Sequence, residues 1–159
     1  MRSDDDEGLR SYVAARYPQL RRSAFLMCGD WALADDVTQA TLARLAVDQG
    51  RGTVADPDGY AWAELMHALI HRPGRREHVF VAGPGSAGAD PATVLLLDAL
   101  HRLAPRCRAV LVLRHWGGLS LAETADVLGL SDERAGAYEA AGLGALDELV
   151  SAGDAAAVR

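Results

Sequence analysis

The stretch Leu119-Ser-Leu-Ala-Glu-Thr-Ala-Asp-Val-Leu-Gly-Leu-Ser131 has the pattern of a helix-turn-helix. Ser120 and Glu123 stand three residues apart, which predicts a capping box at the start of the first helix. Gly129 suits the positive φ that ends a helix in a tight turn. Ser131 can cap a second helix that runs to about Val150. In DNA-binding proteins with this motif, the second helix enters the major groove.

The charge of the second helix does not fit that role. Between residues 132 and 149 it carries one basic residue, Arg134, and five acidic residues. The net charge of the chain is −6, and all of the excess lies in this half. Residues 1–114 hold 14 Arg and 14 acids, whereas residues 115–159 hold two Arg and eight acids. A nucleic-acid-binding surface should instead be basic, because affinity depends on neutralising phosphates.

Composition places the chain among soluble bacterial proteins. Its 159 residues can bury one modest core or two small ones. All 16 basic residues are Arg, and the absence of Lys and Asn indicates a GC-rich genome. Cys28 and Cys107 lack the spacing of a zinc site or a disulfide framework, which favours two reduced thiols in the cytoplasm. The acidic N-terminus is no signal peptide, and no apolar run has the length of a membrane span.

The remaining chain reads as helices, so the predicted fold is all-α. Apolar periodicity and start signals such as Asp56-Pro57 and Asp90-Pro91 predict helices over 9–28, 31–47, 57–72, 91–103 and 105–116. The Gly/Pro/Ala-rich segment 73–90 is typical of a flexible linker. We therefore expect two small helical domains, 1–72 and 91–151, joined by this linker and followed by a frayed tail, 152–159.

Three motifs in order resemble those of one family. Ala34-Asp-Asp-Val-Thr-Gln-Ala-Thr-Leu42 resembles the region 2 signature of extracytoplasmic-function (ECF) RNA polymerase sigma factors. Leu103-Ala-Pro-Arg-Cys-Arg-Ala-Val-Leu-Val-Leu-Arg114 is similar to the opening of their region 4, and the helix-turn-helix is similar to the one in that region. The resemblance covers residues 10–72 and 93–150, and it is closest to the small sigma factors of actinobacteria.

The resemblance implies a polymerase-binding surface on the second helix. Proteins of this family bind core RNA polymerase, and their first domain docks on the polymerase clamp. By position, Asp35, Asp36 and Gln39 would face the clamp, where carboxylates meet a basic coiled coil. The alternative is a solvated face near a helix N-terminus, where the helix dipole favours acids in any case. Ala40 stands where the family has a second acid.

The resemblance also implies a −10 promoter surface at the end of the third helix. The candidates for contact with DNA there are Trp62, His67, His71, Arg72, Arg75 and Arg76. Trp62 can stack on a flipped base, but an aromatic residue at helical spacing also fits a core position. His67 and His71 have the i, i+4 spacing of zinc ligands. A third ligand is evident only if His78 approaches them, and a solvent-facing pair is the simpler interpretation, so we expect neither a metal nor a cofactor.

The last helix departs furthest from the family. With Ala135, Gly142, Leu146 and Leu149 buried, its outer face consists of Glu133, Arg134, Gly136, Ala137, Ala140, Ala141 and Gly144. This face has almost nothing to contact a phosphate or a base edge. We therefore expect −35 reading to be weak or absent. A flat Gly/Ala face suits the close approach of another protein.

Two functions remain open at this point. The chain is a sigma-like transcription regulator acting at RNA polymerase, or it works only through protein contacts, as a decoy, antagonist or adaptor of polymerase, an anti-sigma factor or another regulator. No arrangement of nucleophile, base and orienting group is evident, so the sequence predicts neither an enzyme nor a small-molecule substrate.

Overall fold

The computed structural model describes residues 2–72 and 90–157, and these ranges contain seven α-helices and no strand. The predicted all-α fold is thereby confirmed. The helices are α1 (Arg2–Cys28), α2 (Trp31–Gly50), α3 (Pro57–Ile70), α4 (Pro91–Arg102), α5 (Pro105–His115), α6 (Leu121–Leu128) and α7 (Asp132–Ala157). Within the described ranges no helix is both long and apolar enough to cross a bilayer.

The helix-turn-helix has the capping chemistry that its sequence predicts. The Ser120 hydroxyl accepts a hydrogen bond from the Glu123 backbone N–H at 3.1 Å, and the Glu123 carboxylate accepts one from the Ser120 N–H at 2.7 Å. Gly129 ends α6 at a φ of 64°, where a side chain would be strained. The Ser131 hydroxyl accepts a bond from the Arg134 N–H and so caps α7.

The other helix starts follow the sequence with one difference. Asp30 accepts bonds from two backbone N–H groups of α2, and Asp90 accepts one from Thr93 in α4. Asp56 stands at the N-cap position of α3, but its side chain makes no capping bond. Pro57 removes one backbone donor at that end in any case, so the helix needs fewer acceptors there.

Two helices are longer than the sequence suggests. α1 begins at Arg2 and continues through Pro18, which lies exposed inside the helix. α7 continues past Val150 to Ala157, into the segment that we expected to fray. Its last turns lie against α4, where a Cβ added at Gly153 would come within 2.2 Å of Leu95 Cδ1. Packing of this kind stabilises helix ends that sequence propensity alone leaves marginal.

A single hydrophobic core runs through both halves of the chain. In the first half α1 packs on α2 and α3, and in the second α5 packs on α7. Across the halves α1 contacts α4 and α5, and α3 contacts α5 and α6. The largest fully buried apolar side chains of this shared core are Leu20, Leu45, Leu65, Met66, Leu100, Leu111 and Leu113. The two groups of helices therefore bury apolar surface against each other.

Candidate functional site

Asp35, one of the three residues expected to face polymerase, is bound within the protein. Its carboxylate accepts hydrogen bonds from Arg21 Nε, from Arg21 Nη2 at 3.3 Å and from the Tyr17 hydroxyl at 2.9 Å. The Arg21 guanidinium also lies 4.3 Å from the ring centre of Trp31, which stacks on Phe25. The bonds from Arg21 and then from Tyr17 lower the pKa of Asp35 below its ordinary value. Asp35 therefore joins α2 to α1.

Asp36 and Gln39 point outward from the same helix. Both are exposed, and neither side chain forms a hydrogen bond or an ion pair with another residue in the described ranges. Ala40 and Val47 continue this exposed face, and Val47 keeps 53% of its surface accessible. We call the exposed face that Asp36, Gln39, Ala40, Ala43 and Val47 form on α2 the acidic face. Its one charge is Asp36, so binding to a basic surface would depend mainly on that residue.

The candidates at the end of α3 are divided between core and surface. Trp62 belongs to the core with 6% of its surface exposed, so its ring is not available to stack on a base in this conformation. The ring packs there because α3 buries Ala61, Leu65 and Met66 along the same side. Of the two roles that the sequence left open for Trp62, packing in the core is the one that the structure shows.

The polar residues beyond Trp62 are exposed. His67 and His71 place their rings edge to face, 4.6 Å apart, and Arg72 follows them at the surface. Arg75 and Arg76 lie outside the described residues. Among the residues that are described, no group of three His, Cys, Asp or Glu side chains is arranged to hold a metal ion. Of the candidates that the structure describes at this end of α3, the accessible ones are therefore two imidazoles and one guanidinium.

The outer face of α7 matches the face that the helical spacing predicts. Ala135 and Gly142 are buried, and a Cβ added at Gly142 would lie 3.1 Å from Leu111 Cδ1, so this glycine lets α7 approach α5 closely. The exposed members of the predicted face are Glu133, Arg134, Ala137, Ala140, Ala141 and Gly144. Gly136 is half-buried beside Leu121 and contributes less surface than expected.

One acid of α7 does not contribute to that face. Glu139 accepts a hydrogen bond from Arg114 Nε at 3.1 Å and lies 3.4 Å from His115 Nε2. Arg114 also donates to the Leu119 carbonyl at 2.9 Å. It therefore joins three parts of the chain, which are α5, α7 and the turn that precedes α6. This arginine of the region 4 motif is therefore occupied within the protein. The outer face of α7 retains Arg134 as its one basic side chain within the described ranges.

Sequence reasoning missed Arg108, which links the two halves. Arg108 is 9% exposed, and its guanidinium donates to four backbone carbonyls: Leu100 at 2.9 Å, His101 at 2.6 Å, Leu103 at 2.9 Å and Met27 at 2.6 Å. The first three lie at the end of α4 and the fourth lies in the last turn of α1. Burial lowers the pKa of Arg108 from its ordinary value. Its only sequence signal was its place in the region 4 motif.

A second polar contact crosses the same boundary. Gln19 Nε2 on α1 donates to the Gly117 carbonyl at 3.2 Å. Beside this hydrogen bond, a cleft of about 650 Å³ lies between α6 and the surface that α1 and α3 form. The Asp58 carboxylate at its wall is already occupied, because it accepts bonds from Tyr12 at 2.8 Å and from Arg16 at 2.7 Å. We call this boundary between residues 2–72 and residues 90–157 the seam.

Comparisons with known proteins agree with the motifs. The family model for sigma-70 region 4 matches residues 93–137. The RNA polymerase sigma-E factor of Streptomyces coelicolor is 36% identical over 132 residues, which cover 76% of this chain and 73% of that protein. The sigma-E factor of Streptomyces avermitilis is 35% identical over 132 residues, covering 76% of this chain and 72% of that one.

A solved structure shares the arrangement of the helices. It is the sigma factor RpoE of Bartonella quintana, in complex with the anti-sigma factor NepR. The TM-score is 0.71, and the match covers 91% of this chain and 98% of that one. At 16% sequence identity this likeness shows the fold alone.

Proposed function

Because this chain belongs to the extracytoplasmic-function RNA polymerase sigma factor family, we propose that it acts at RNA polymerase in transcription initiation, mainly through its first half. The observation that carries the proposal is the acidic face on α2. The resemblance of the α2 motif implies that Asp36 and Gln39 bind polymerase, and both are exposed and unpaired within the described residues. The proposed partner is therefore the core polymerase, and the proposed place of action is the cytoplasm.

Within this surface the two neighbouring acids have different roles. Asp36 contacts the basic surface of the polymerase, since its carboxylate points to solvent without a partner among the described residues. Asp35 is a positioning residue: its bonds to Arg21 and Tyr17 hold α2 against α1 and thereby orient Asp36. The family signature is thus divided between one contact residue and one internal residue.

Promoter binding is proposed at the end of α3. His67, His71 and Arg72 are exposed there, and Arg75 and Arg76 would add positive charge beyond the helix. Trp62 takes no part, because its ring is buried. This surface gives the chain some means to hold the −10 region of a promoter.

Reading of the −35 element is proposed to be weakened or lost. The outer face of α7 offers Arg134 alone among small and acidic residues, and each good side-chain contact to a base supplies only about 1–3 kcal/mol. The neighbouring acids add repulsion from phosphates. α7 would therefore bind promoter DNA weakly or not at all.

Other proteins complete the set of proposed partners. The structurally similar RpoE was solved with an anti-sigma factor, so we propose that an anti-sigma factor or another regulatory protein is a second partner of this chain. The comparisons do not favour the alternative in which the chain works only through protein contacts, since the matched relatives are named as sigma factors. The proposed role is not enzymatic and needs no cofactor, metal or small-molecule substrate.

The test of the proposal is co-elution of the purified chain with Streptomyces core RNA polymerase. Asp36→Asn should weaken the complex about fivefold to tenfold, because it removes the one charge of the acidic face. Asp126→Asn is the matched control, since Asp126 is also exposed on a helix but lies on α6. If the native chain does not co-elute, or if both variants weaken the complex equally, the proposed contact is wrong.

A second experiment tests the role of α7. Substituting Arg at Ala137, Ala140 and Ala141 places three positive charges on exposed positions of its outer face. Duplex DNA binding should appear. The slope of log K against log salt concentration should steepen by roughly 0.9 for each phosphate that is neutralised. The same three charges placed on exposed alanines elsewhere, at Ala14, Ala15 and Ala122, provide the control. If the native chain already binds −35 DNA with a steep salt slope, the proposed loss is refuted.

A further inference from the structure

The cleft at the seam is a surface that the proposed function does not use. We propose that in the free chain this cleft binds a linear polyamine, a small organic cation whose amino groups are spaced along an apolar chain. The bound cation joins the two walls of the cleft, one from residues 2–72 and the other from residues 90–157. The site goes beyond the proposed function, because it belongs to the protein without polymerase.

Acidic side chains lie on both walls of the cleft. Asp56 and Asp58 belong to the start of α3, and Glu123 and Asp126 belong to α6 on the opposite wall. Arg16 is the one basic residue among the described residues that line the cleft. Four negative charges and one positive charge leave the lining with a net charge of −3. Like charges on opposite walls repel each other, and a cation between them removes that repulsion.

Two of these four acids are engaged within the protein, and two are not. Asp58 accepts hydrogen bonds at 2.7 and 2.8 Å from two side chains of α1, and Glu123 accepts the bond that completes the capping box of α6. Asp56 and Asp126 are exposed, and neither side chain forms a hydrogen bond or an ion pair with another described residue. The cleft therefore offers one unpaired carboxylate on each wall.

Much of the remaining lining is apolar or aromatic. Leu119 and Val127 line the wall of the helix-turn-helix, Tyr60 and Ala63 line the wall of α3, and all four are partly buried. The volume of about 650 Å³ falls within the range of small-molecule sites, roughly 300–1,000 Å³, and such sites often lie where two groups of elements meet. Methylene groups can lie on a surface of this kind while charged ends reach the carboxylates.

The arrangement of the acids suits a long cation better than a metal ion. Within the described ranges no group of three His, Cys, Asp or Glu side chains is placed to hold a metal ion. Calcium and magnesium need several oxygen ligands around one point. Amino groups are protonated at neutral pH, as that of Lys is, and each can bind a single carboxylate through a charge-assisted hydrogen bond. A chain with an amino group at each end therefore matches one carboxylate on each wall.

Binding of this kind favours the closed form of the free chain. A ligand that contacts both walls binds only while the walls are together, so it lowers the population of any form in which they separate. The equilibrium shifts by the factor 1 + [L]/Kd, where [L] is the concentration of free polyamine. The polyamine concentration then sets how readily the free chain opens.

The experiment titrates the full chain with spermidine at constant ionic strength. Isothermal titration calorimetry should show saturable binding of about one spermidine per chain. The melting temperature should rise by roughly 5–10 °C at a hundredfold excess over Kd. Binding that does not saturate, or that reaches several spermidines per chain, would mean that the cation only condenses on an acidic protein, and the cleft site would be refuted.

Three variants locate the binding. Asp56→Asn and Asp126→Asn each remove one unpaired carboxylate from the cleft. Each should weaken spermidine binding about threefold to tenfold, the change expected for one charge-assisted hydrogen bond. Asp147→Asn removes the same charge from an exposed position on α7 and should have little effect. Equal weakening by all three variants, or no weakening by the two cleft variants, would overturn the proposal.

A monoamine tests whether the ligand joins both walls. Butylamine carries one amino group on an apolar chain, so one molecule can bind Asp56 or Asp126 but not both. At an equal concentration of positive charge it should raise the melting temperature much less than spermidine does, and an equal rise would refute bridging. Polymerase takes no part in these measurements, so their failure leaves the proposed function to the co-elution experiment.

Discussion

Replacing Arg108 with Met tests whether the buried guanidinium stabilises the fold. Met fills much of the same apolar space but donates no hydrogen bond. The Leu100 carbonyl would still accept a bond from the Leu103 N–H at 3.2 Å, whereas the carbonyls of Met27, His101 and Leu103 would lose the donor that Arg108 supplies. Each unsatisfied buried acceptor costs about 1–3 kcal/mol.

The expected net loss follows from two opposing terms. Three acceptors give a gross cost of roughly 3–9 kcal/mol, which is partly offset because the variant no longer buries a charged group. We expect a net loss of about 3–5 kcal/mol in the free energy of unfolding, the range found when one partner of a buried charged contact is removed. For a chain of this size, that loss lowers the melting temperature by roughly 6–20 °C.

The assay is thermal and urea unfolding followed by far-ultraviolet circular dichroism. Arg106→Met is the matched control, because Arg106 lies on the same helix but is exposed and forms no hydrogen bond or ion pair with another described residue. Arg108→Lys keeps the charge but not the planar group of donors, so its stability should lie between the native chain and Arg108→Met. If Arg108→Met loses no more stability than Arg106→Met, water or backbone movement satisfies the three carbonyls, and the structural argument is wrong.

Three further predictions concern local contacts. Ser120→Ala should lower the free energy of unfolding by about 1 kcal/mol in urea titrations, because α6 loses the hydroxyl of its capping box. Gly142→Val should destabilise the chain by about 1–3 kcal/mol through overpacking against α5, while Gly144→Val, in open space on the same helix, should change its melting temperature little. Stability should fall in acid as Asp35 is protonated: its pKa is lowered in the folded state by Arg21, so its contribution is full above the pKa of the unfolded chain and is lost as pH falls through the folded value. Asp35→Asn should flatten that acid limb in a pH series of melting curves.

Much of the fold was predictable from short stretches of sequence. The all-α class, the approximate helix starts and the capped helix-turn-helix rest on interactions between residues three or four positions apart, such as Ser120 with Glu123. The helix ends were harder, because α7 continues to Ala157 only where it can pack on α4. The family motifs also depend on sequence alone, and the match to two Streptomyces sigma-E factors confirms the family that they indicated.

The sequence predicted only in part which candidate side chains are exposed. The helical spacing of α7 predicted its outer face, since one buried side of a straight helix determines the exposed side. The spacing of the α2 signature could not show that Asp35 faces Arg21 while Asp36 faces solvent. The sequence also did not show whether Trp62 is buried or exposed. The packing of α3 against its neighbouring helices buries it.

By itself, then, the sequence determined the helices, the family and the charge of the last helix. Caps, turns and periodicity depend on residues that are close together in the chain, and net charge depends on composition alone. The sequence is therefore enough to predict them. Only the tertiary structure decided that the two halves share one core and that Arg108 joins the ends of α1 and α4. Met27 and Arg108 are far apart in the chain, and no local pattern specifies which distant carbonyl a buried guanidinium will reach. That contact depends on how all the helices pack together.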